Sequence, residues 1–305
     1  MSIILPRGLP AVDRLRQNGI EVVSPGDARG QGRRALRVVL VNLMPTKLQT
    51  EQQIARLLGG AGPHVELTLA LPDGYRPRNA PAGHVKRFYR RFGEIRGHRF
   101  DAIIVTGAPV ENLPFEAVDY WDDLRAIFDW AEGRLGRAYY ICWAAQAALK
   151  HFHGVEKRSL AAKRFGVFRH RVRQPRSPLF RGFGETFDIP VSRHTEVRRR
   201  DLEPGRGLVV LADSPQAGPC LVEDAERRAL YMFNHWEYEA DTLAAEYERD
   251  RAAGKEIAPP VGYPAGGERP RPPVNNWSEP ARLFFRNWLA LARADAGCIS
   301  AGAAA

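Results

Sequence analysis

Cysteine is scarce in this sequence. There are three, Cys142, Cys220 and Cys298, in 305 residues, and no two stand in a C-x-x-C spacing. That argues against a disulfide framework and against a structural zinc site. No apolar run approaches the ~18 residues of a membrane-spanning helix. The opening Met1-Ser-Ile-Ile-Leu-Pro-Arg-Gly holds too short an apolar stretch for a secretory leader. The expectation is a cytoplasmic protein with no membrane partner. The histidines do not gather. His151 and His153 stand two apart at a helix end, and His170 and His194 fall in arginine-rich stretches read as loops, so no metal site is expected. Acidic residues are outnumbered, 35 against 45 Lys and Arg, for a net charge of +10. The basic clusters Lys86 to Arg91, Arg169 to Arg176 and Arg193 to Arg200 are each interrupted by apolar or acidic residues. Nucleic acid is therefore not expected as a partner. A basic surface equally suits an acidic small substrate, such as a nucleotide-bearing acyl carrier.

What is present is an ordinary globular balance, 44% hydrophobic and 26% charged. Residues 1–34 mix Pro, Gly and charge and read as an N-terminal arm. Leu36 to Met44 is a near-continuous apolar strand, and Pro45 to Leu58 a helix stopped by Gly59-Gly60. Val65 to Leu71 reads as a strand, Val85 to Phe92 as a helix, Phe100 to Thr106 as a buried strand and Tyr120 to Glu132 as an amphipathic helix. Strands alternating with helices predict an α/β fold, a parallel sheet with helices on both faces. Leu208 to Ala212, Cys220 to Glu223 and Ala229 to His235 read as further strands. Ala240 to Ala252 and Trp277 to Ala294 read as helices, with a Pro/Gly-rich loop from Glu256 to Val274 between them. The expected division is the arm, one α/β domain over 35–295 and a flexible tail over 296–305.

In parallel sheets, sites form at the carboxyl ends of the strands. The stretch Arg137-Ala-Tyr-Tyr-Ile-Cys-Trp-Ala-Ala-Gln-Ala-Ala places Cys142 where a β-prone run meets a helical one. A helix N-terminus favours the thiolate, and a strand-to-helix elbow presents a nucleophile above a sheet. His235-Trp-Glu237 follows another strand, and residues two apart in an extended segment share a face. A cysteine nucleophile needs a base, and the base needs an orienting carboxylate. Cys142, His235 and Glu237 supply the three roles: attack on an acyl carbonyl, proton transfer, and control of the imidazole tautomer. Oxyanion stabilisation is expected from the amide of Trp143 and from the Gly107-Ala108 turn.

The chain resembles the cysteine-triad homoserine O-acyltransferase family of methionine biosynthesis, known as the homoserine O-succinyltransferase type. The resemblance is carried by Val41-Asn-Leu-Met-Pro-Thr-Lys-Leu-Gln-Thr-Glu51, Ile104-Val-Thr-Gly-Ala-Pro109, Tyr120-Trp121, Cys142-Trp-Ala-Ala-Gln-Ala-Ala148, Gly166-Val-Phe-Arg-His170, Pro190-Val-Ser-Arg193 and Asn234-His-Trp-Glu-Tyr238. It implies a flavodoxin-like sheet similar to class I glutamine amidotransferases, and a triad of Cys142, His235 and Glu237. It implies a ping-pong cycle in which the cysteine carries the acyl group to the homoserine hydroxyl, with no bound cofactor. It also implies amino-acid binding by Lys163, Ser192 and Arg249, site support from Lys47, and a homodimer.

The acyl donor follows from one position. Family members with glycine after the Thr-Gly-Ala-Pro turn tend to use succinyl-CoA, and those with glutamate acetyl-CoA. Here the residue is Glu111. A carboxylate there repels the succinyl carboxylate and fills its space. The resemblance thus implies an L-homoserine O-acetyltransferase with acetyl-CoA as cosubstrate. A succinyl donor, a serine acceptor and, more remotely, a glutamine amidotransferase-like amidase are the alternatives. The chain departs from the family pattern at Trp236, in Gly262-Tyr-Pro-Ala-Gly-Gly-Glu-Arg-Pro, and at Trp277-Ser-Glu-Pro280.

Overall fold

The computed structural model of the protein describes residues 2–29, 34–77, 79–202, 205–264 and 274–302, with side chains at all of these but 29 and 297–302. In chain order the elements are β1 (Ser2–Ile4), α1 (Ala11–Gln17), β2 (Glu21–Val23), α2 (Pro25–Arg29), β3 (Leu36–Val41), α3 (Lys47–Gly60) and β4 (Val65–Leu71). There follow α4 (Ala82–Phe88), β5 (Tyr89–Arg91), α5 (Phe92–Ile95), β6 (Ala102–Val105), α6 (Trp121–Arg134), β7 (Arg137–Ile141) and α7 (Trp143–His153). The second half holds β8 (Arg158–Val172), β9 (Thr186–Glu196), β10 (Leu208–Ser214), β11 (Gly218–Asp224), β12 (Ala229–Met232), α8 (Thr242–Ala252) and α9 (Ser278–Gly302).

One sheet runs through the molecule in the order β2-β1-β4-β3-β6-β7-β12-β11-β10-β8-β9, with β5 beside β4. Neighbours from β2 to β12 are parallel. Neighbours from β12 to β9 are antiparallel. The expected α/β fold with a parallel sheet is present, and an antiparallel wing extends it. On β3 the side chains alternate between two cores. Val38 and Leu40 pack with Ile54, Leu58, Phe284 and Trp288 on one face, while Val39 and Val41 pack with Leu124, Phe128, Ala147 and Ala148 on the other. Burial on both faces is why β3, β6 and β7 read as continuous apolar runs.

Residues 2–29, read as an arm, add two parallel strands to the sheet edge, and Ile3, Leu5, Leu9 and Leu15 enter the core. Three-residue strands are too short for a period to show in sequence. Helix α9 runs on to Gly302, through part of the stretch read as a tail, and residues 303–305 lie outside the described residues. The helix expected over Val85 to Phe92 stops at Phe88, because Tyr89 to Arg91 pair with β4.

The arginine-rich stretches expected as loops are strands, with His170 in β8 and His194 in β9. Phe168 and His170 turn inward while Arg169 and Arg171 face solvent. The arginines are the polar half of a strand alternation. Gly166 shows how β8 receives the chain that follows α8. Val261 N–H donates to Phe165 O at 2.9 Å, and Val167 N–H donates to Val261 O at 2.8 Å. Gly166 has φ +143°, and a Cβ there would lie 2.2 Å from Val261 O. Gly166→Ala combines backbone strain with a backbone clash. It is expected to cost about 3 kcal/mol and lower Tm by roughly 5–10 °C, read by thermal unfolding followed by circular dichroism.

Candidate active site

The site forms where neighbouring strands β7 and β12 end together, with Met232 in register with Ile141. Cys142 follows β7 and opens α7, with φ 52° and ψ −115°. A positive φ at a non-glycine residue stores strain, and here it turns the thiol out of the sheet at a sharp elbow. Two features allow the turn. Cys142 N–H donates to Met232 O at 2.6 Å, tying the elbow to β12. Ala144, Ala145, Ala147 and Ala148 are fully buried, so α7 packs close to the sheet.

Beyond β12 the chain returns toward the elbow. His235 N–H donates to Pro190 O at 3.0 Å, so the far strand β9 fixes this turn. His235 Nδ1–H donates to Glu237 Oε1 at 2.6 Å, and the imidazole stacks on Tyr238 at 4.3 Å between ring centroids. His235 Nε2 is sealed from solvent and has no oxygen or nitrogen partner. Burial disfavours the imidazolium, but the Glu237 carboxylate and the Cys142 sulfur outweigh it and hold the pKa well above the ordinary histidine value. Trp236, the residue between them, is buried against Phe187 and Phe284, which braces the turn from below.

These residues open onto a cleft of about 350 Å³. Gly107 lies directly against the elbow. A Cβ on it would stand 3.2 Å from Cys142 Cβ and 3.6 Å from Trp143 N. The Trp143 and Ala144 amides come before Ala145, whose N–H donates to Cys142 O, so both precede the first helical donor. The Trp143 ring itself is buried beside Phe115 and Tyr120.

Lys163 from β8, Ser192 from β9 and Arg249 from α8 meet on one wall of the cleft. Two acidic residues not anticipated from sequence join them. Glu246 accepts from Ser192 Oγ and from Tyr238 Oη, both at 2.6 Å, with Lys163 Nζ at 3.6 Å. Asp250 is buried beneath Lys163, Lys255 and Arg249, at 3.1, 3.0 and 3.1 Å. Burial pushes the Asp250 pKa up, but these cations dominate and keep it well below the ordinary carboxylate value. The Arg249 guanidinium, expected to grip a carboxylate, is turned onto Asp250 here. Helical spacing was the available signal, since Glu246, Arg249 and Asp250 stand at i, i+3 and i+4.

Glu111 and Asn112 also line the cleft. Lys157 Nζ donates to Glu111 O at 2.6 Å and to Leu113 O at 2.5 Å, which pins this loop. Lys157 was not singled out in the sequence.

Lys47 does not line the cleft. Its ammonium is buried behind the Met44 to Thr46 loop, donating to Asn42 O at 2.7 Å and Met44 O at 3.0 Å. It sits 4.7 Å from the Tyr75 ring centroid. Burial is the main reason its pKa falls to about 7, with Glu51 acting in the opposite direction. A lysine pKa depressed in the folded state means that the unfolded chain binds more protons between pH ~7 and ~10.4. Folding therefore gains stability as pH rises through that window. In Lys47→Met this gain is removed, so the parent's Tm should rise relative to the variant's between pH 7 and 9.

Among the described residues no group of three or more His, Cys, Asp or Glu is placed to hold a metal ion. Nor is any described helix long and apolar enough to cross a membrane.

Comparison with known proteins adds to this geometry. The family profile described as homoserine O-succinyltransferase matches residues 2–296. A Hyphomonas neptunium protein named homoserine O-acetyltransferase is 49% identical over 289 residues, covering 95% of each chain. Proteins of the same name from Roseobacter denitrificans and Brucella canis are 46% and 49% identical, over 95% of this chain and 95% and 94% of theirs. Among solved structures, a glutamine amidotransferase from Methylobacillus flagellatus aligns with a TM-score of 0.52 at 11% identity, covering 85% of this chain and 96% of that one. A Thermotoga maritima glutamine amidotransferase gives 0.51 at 12% identity, covering 85% and 99%. These two likenesses are of fold, and they bear out the expected class I glutamine amidotransferase-like architecture.

Proposed function

The chain belongs to the homoserine O-succinyltransferase family, and on that premise we propose that it is an L-homoserine O-acetyltransferase of methionine biosynthesis. Acetyl-CoA is the cosubstrate and L-homoserine the acceptor. The observation that carries the reading is the elbow: a strained Cys142 that opens onto the same cleft as a buried, hydrogen-bonded His235–Glu237 pair.

The Cys142 sulfur attacks the acetyl carbonyl, and the oxyanion is met by the Trp143 amide and the Gly107-Ala108 turn. The carbon–sulfur bond to CoA breaks, and the CoA thiolate takes a proton from His235. A thioester on Cys142 remains. The homoserine hydroxyl then gives its proton to His235 Nε2 and attacks the thioester, and the Cys142 sulfur leaves. Glu237 holds the imidazole tautomer throughout. Lys163, Ser192 and Arg249 bind the amino acid, Glu111 excludes a longer acidic acyl group, and Lys47 supports the site through the Met44 to Thr46 loop. Residues 35–295, together with the sheet edge that residues 2–29 add, act as one acyltransferase unit, in a cytoplasmic homodimer.

The test is a grid of acetyl-CoA and succinyl-CoA against homoserine and serine, reading CoA release. Turnover is expected to be fastest for acetyl-CoA with homoserine. The absence of turnover with either donor would remove the transferase reading. The family description itself favours a succinyl donor as the second reading, and faster turnover with succinyl-CoA would establish it. Ammonia release from glutamine, the reaction suggested by the fold alone, is not expected. The elbow Tyr140-Ile-Cys-Trp-Ala lacks the flanking glycines usual in that class.

A further inference from the structure

The helix that begins after the nucleophile delivers, past its far end, a clamp on the loop of Glu111. α7 ends in a left-handed cap at Gly154, φ 63°. Gly154 N–H donates to Lys150 O at 3.0 Å, and Val155 N–H donates to Leu149 O at 3.3 Å. These bonds stop the helix and turn the chain, with Val155 buried. Lys157 follows two residues later. Its Nζ donates to Glu111 O at 2.6 Å and to Leu113 O at 2.5 Å, and it lies 4.8 Å from the Phe115 ring centroid. The neighbouring Glu156 pairs with Lys150, and among the described residues no carboxylate pairs with Lys157. Its ammonium is given to the main chain of one short turn, which Leu113 N–H closes onto Val110 O at 3.0 Å.

The same turn is tied to the start of α7. Phe115 is buried, stacks on Trp121 at 5.4 Å and meets the Trp143 ring at 5.9 Å between centroids. Trp143 is the residue after Cys142. One helix therefore holds the turn at both ends, through Trp143 and Phe115 beside the elbow and through Lys157 past the cap. Glu111 depends on this hold. Among the described residues its carboxylate has neither a hydrogen bond nor an ion pair, while its carbonyl is bound by Lys157. The backbone sets where that carboxylate stands in the cleft, and a charged donor, the stronger kind, fixes the backbone.

We propose that Lys157 is a positioning residue for donor choice: by clamping the Glu111 and Leu113 carbonyls it holds the Glu111 carboxylate at a fixed place in the cleft, where it rejects an acidic acyl group. The inference rests on the reading of Glu111 as the residue that selects the donor. Rejection by like charge needs a carboxylate that stays put. A mobile one swings away from the incoming group, and the repulsion falls with distance. The clamp grips main-chain oxygens, which leaves the carboxylate unpaired and able to repel. A direct action of the lysine charge runs the other way. An ammonium near the cleft attracts a succinyl carboxylate, so its loss alone would lower the preference for succinyl-CoA, whereas release of the clamp raises it.

The experiment measures kcat/KM with acetyl-CoA and succinyl-CoA in the parent, Lys157→Met, Lys157→Arg, Glu111→Gly and the double variant Lys157→Met/Glu111→Gly. Hydrogen–deuterium exchange of residues 110–114 is followed alongside. In Lys157→Met the succinyl-to-acetyl ratio is expected to rise about tenfold, with faster exchange in 110–114. Lys157→Arg keeps a charged donor and should keep the parent's ratio and exchange. In the Glu111→Gly background Lys157→Met should leave the ratio unchanged, because the carboxylate it positions is gone. A lysine that merely supports the fold would shift both backgrounds alike. A ratio in Lys157→Met equal to or below the parent's, or an equal rise in both backgrounds, overturns the inference. Glu111→Gly with the parent's ratio removes the donor reading itself, and this inference with it. If Lys157→Met does not fold, Lys157→Gln takes its place against the same outcomes.

Discussion

Replacing Cys142 with alanine is expected to lower acyl transfer by on the order of 10⁴-fold or more. The reason is chemical. In a two-step cycle the sulfur is the group that holds the acyl fragment between donor and acceptor, and no other nucleophile stands at the elbow. The fold should survive the change, since Cys142 is only half-buried and its backbone amide bond to Met232 O does not need the side chain. Relief of the positive φ is not expected from alanine, which shares the same steric restriction. Two measurements check this. Steady-state CoA release should fall to background in the variant. Incubation of the parent with acetyl-CoA alone should yield an acetylated enzyme by mass spectrometry, with the label on Cys142. Full turnover in Cys142→Ala would sink the thioester mechanism whatever the substrates prove to be.

Glu111→Gly should redirect the donor. Glu111 lines the cleft, on a loop whose carbonyls Lys157 pins. A succinyl group would bring its own carboxylate into that cleft. Two like charges held together in a partly desolvated site cost several kcal/mol, and each ~1.4 kcal/mol is a factor of ten. The ratio of kcat/KM for succinyl-CoA over acetyl-CoA is therefore expected to rise on the order of 10²-fold or more in the variant. Because Lys157 binds backbone oxygens rather than the Glu111 side chain, the loop should keep its place when the side chain goes. An unchanged ratio would mean that donor choice is made elsewhere in the cleft.

Cys142 was legible because two local signals coincide there. A β-prone run ends on it and an alanine-rich helix starts after it. His235 and Glu237 were legible through their spacing of two behind an apolar strand. Glu246 and Asp250 were not, because they act through partners on β8 and β9, far away in sequence. The two arginine-rich strands were hidden for a related reason. Their solvent-facing arginines dominate the local composition, and the inward Phe168, His170, Val191 and Arg193 show their period only once the strands are paired. Lys47 was placed correctly near the loop but on its far side. Proximity in sequence to Met44 and Thr46 does not say which face of the loop a long side chain will choose.

Local physics written in the chain determined the parallel core and the elbow, and it singled out Cys142, His235 and Glu237 as candidates, since strand and helix periods and residue spacing depend on near neighbours alone. The tertiary structure decided what surrounds them. The curl of β9 brings Pro190, Ser192 and Arg193 to the site from the far edge of the sheet. α8 adds two carboxylates, Glu246 and Asp250. Burial and long-range charge set these features, and both depend on which distant segments the folded chain stacks together.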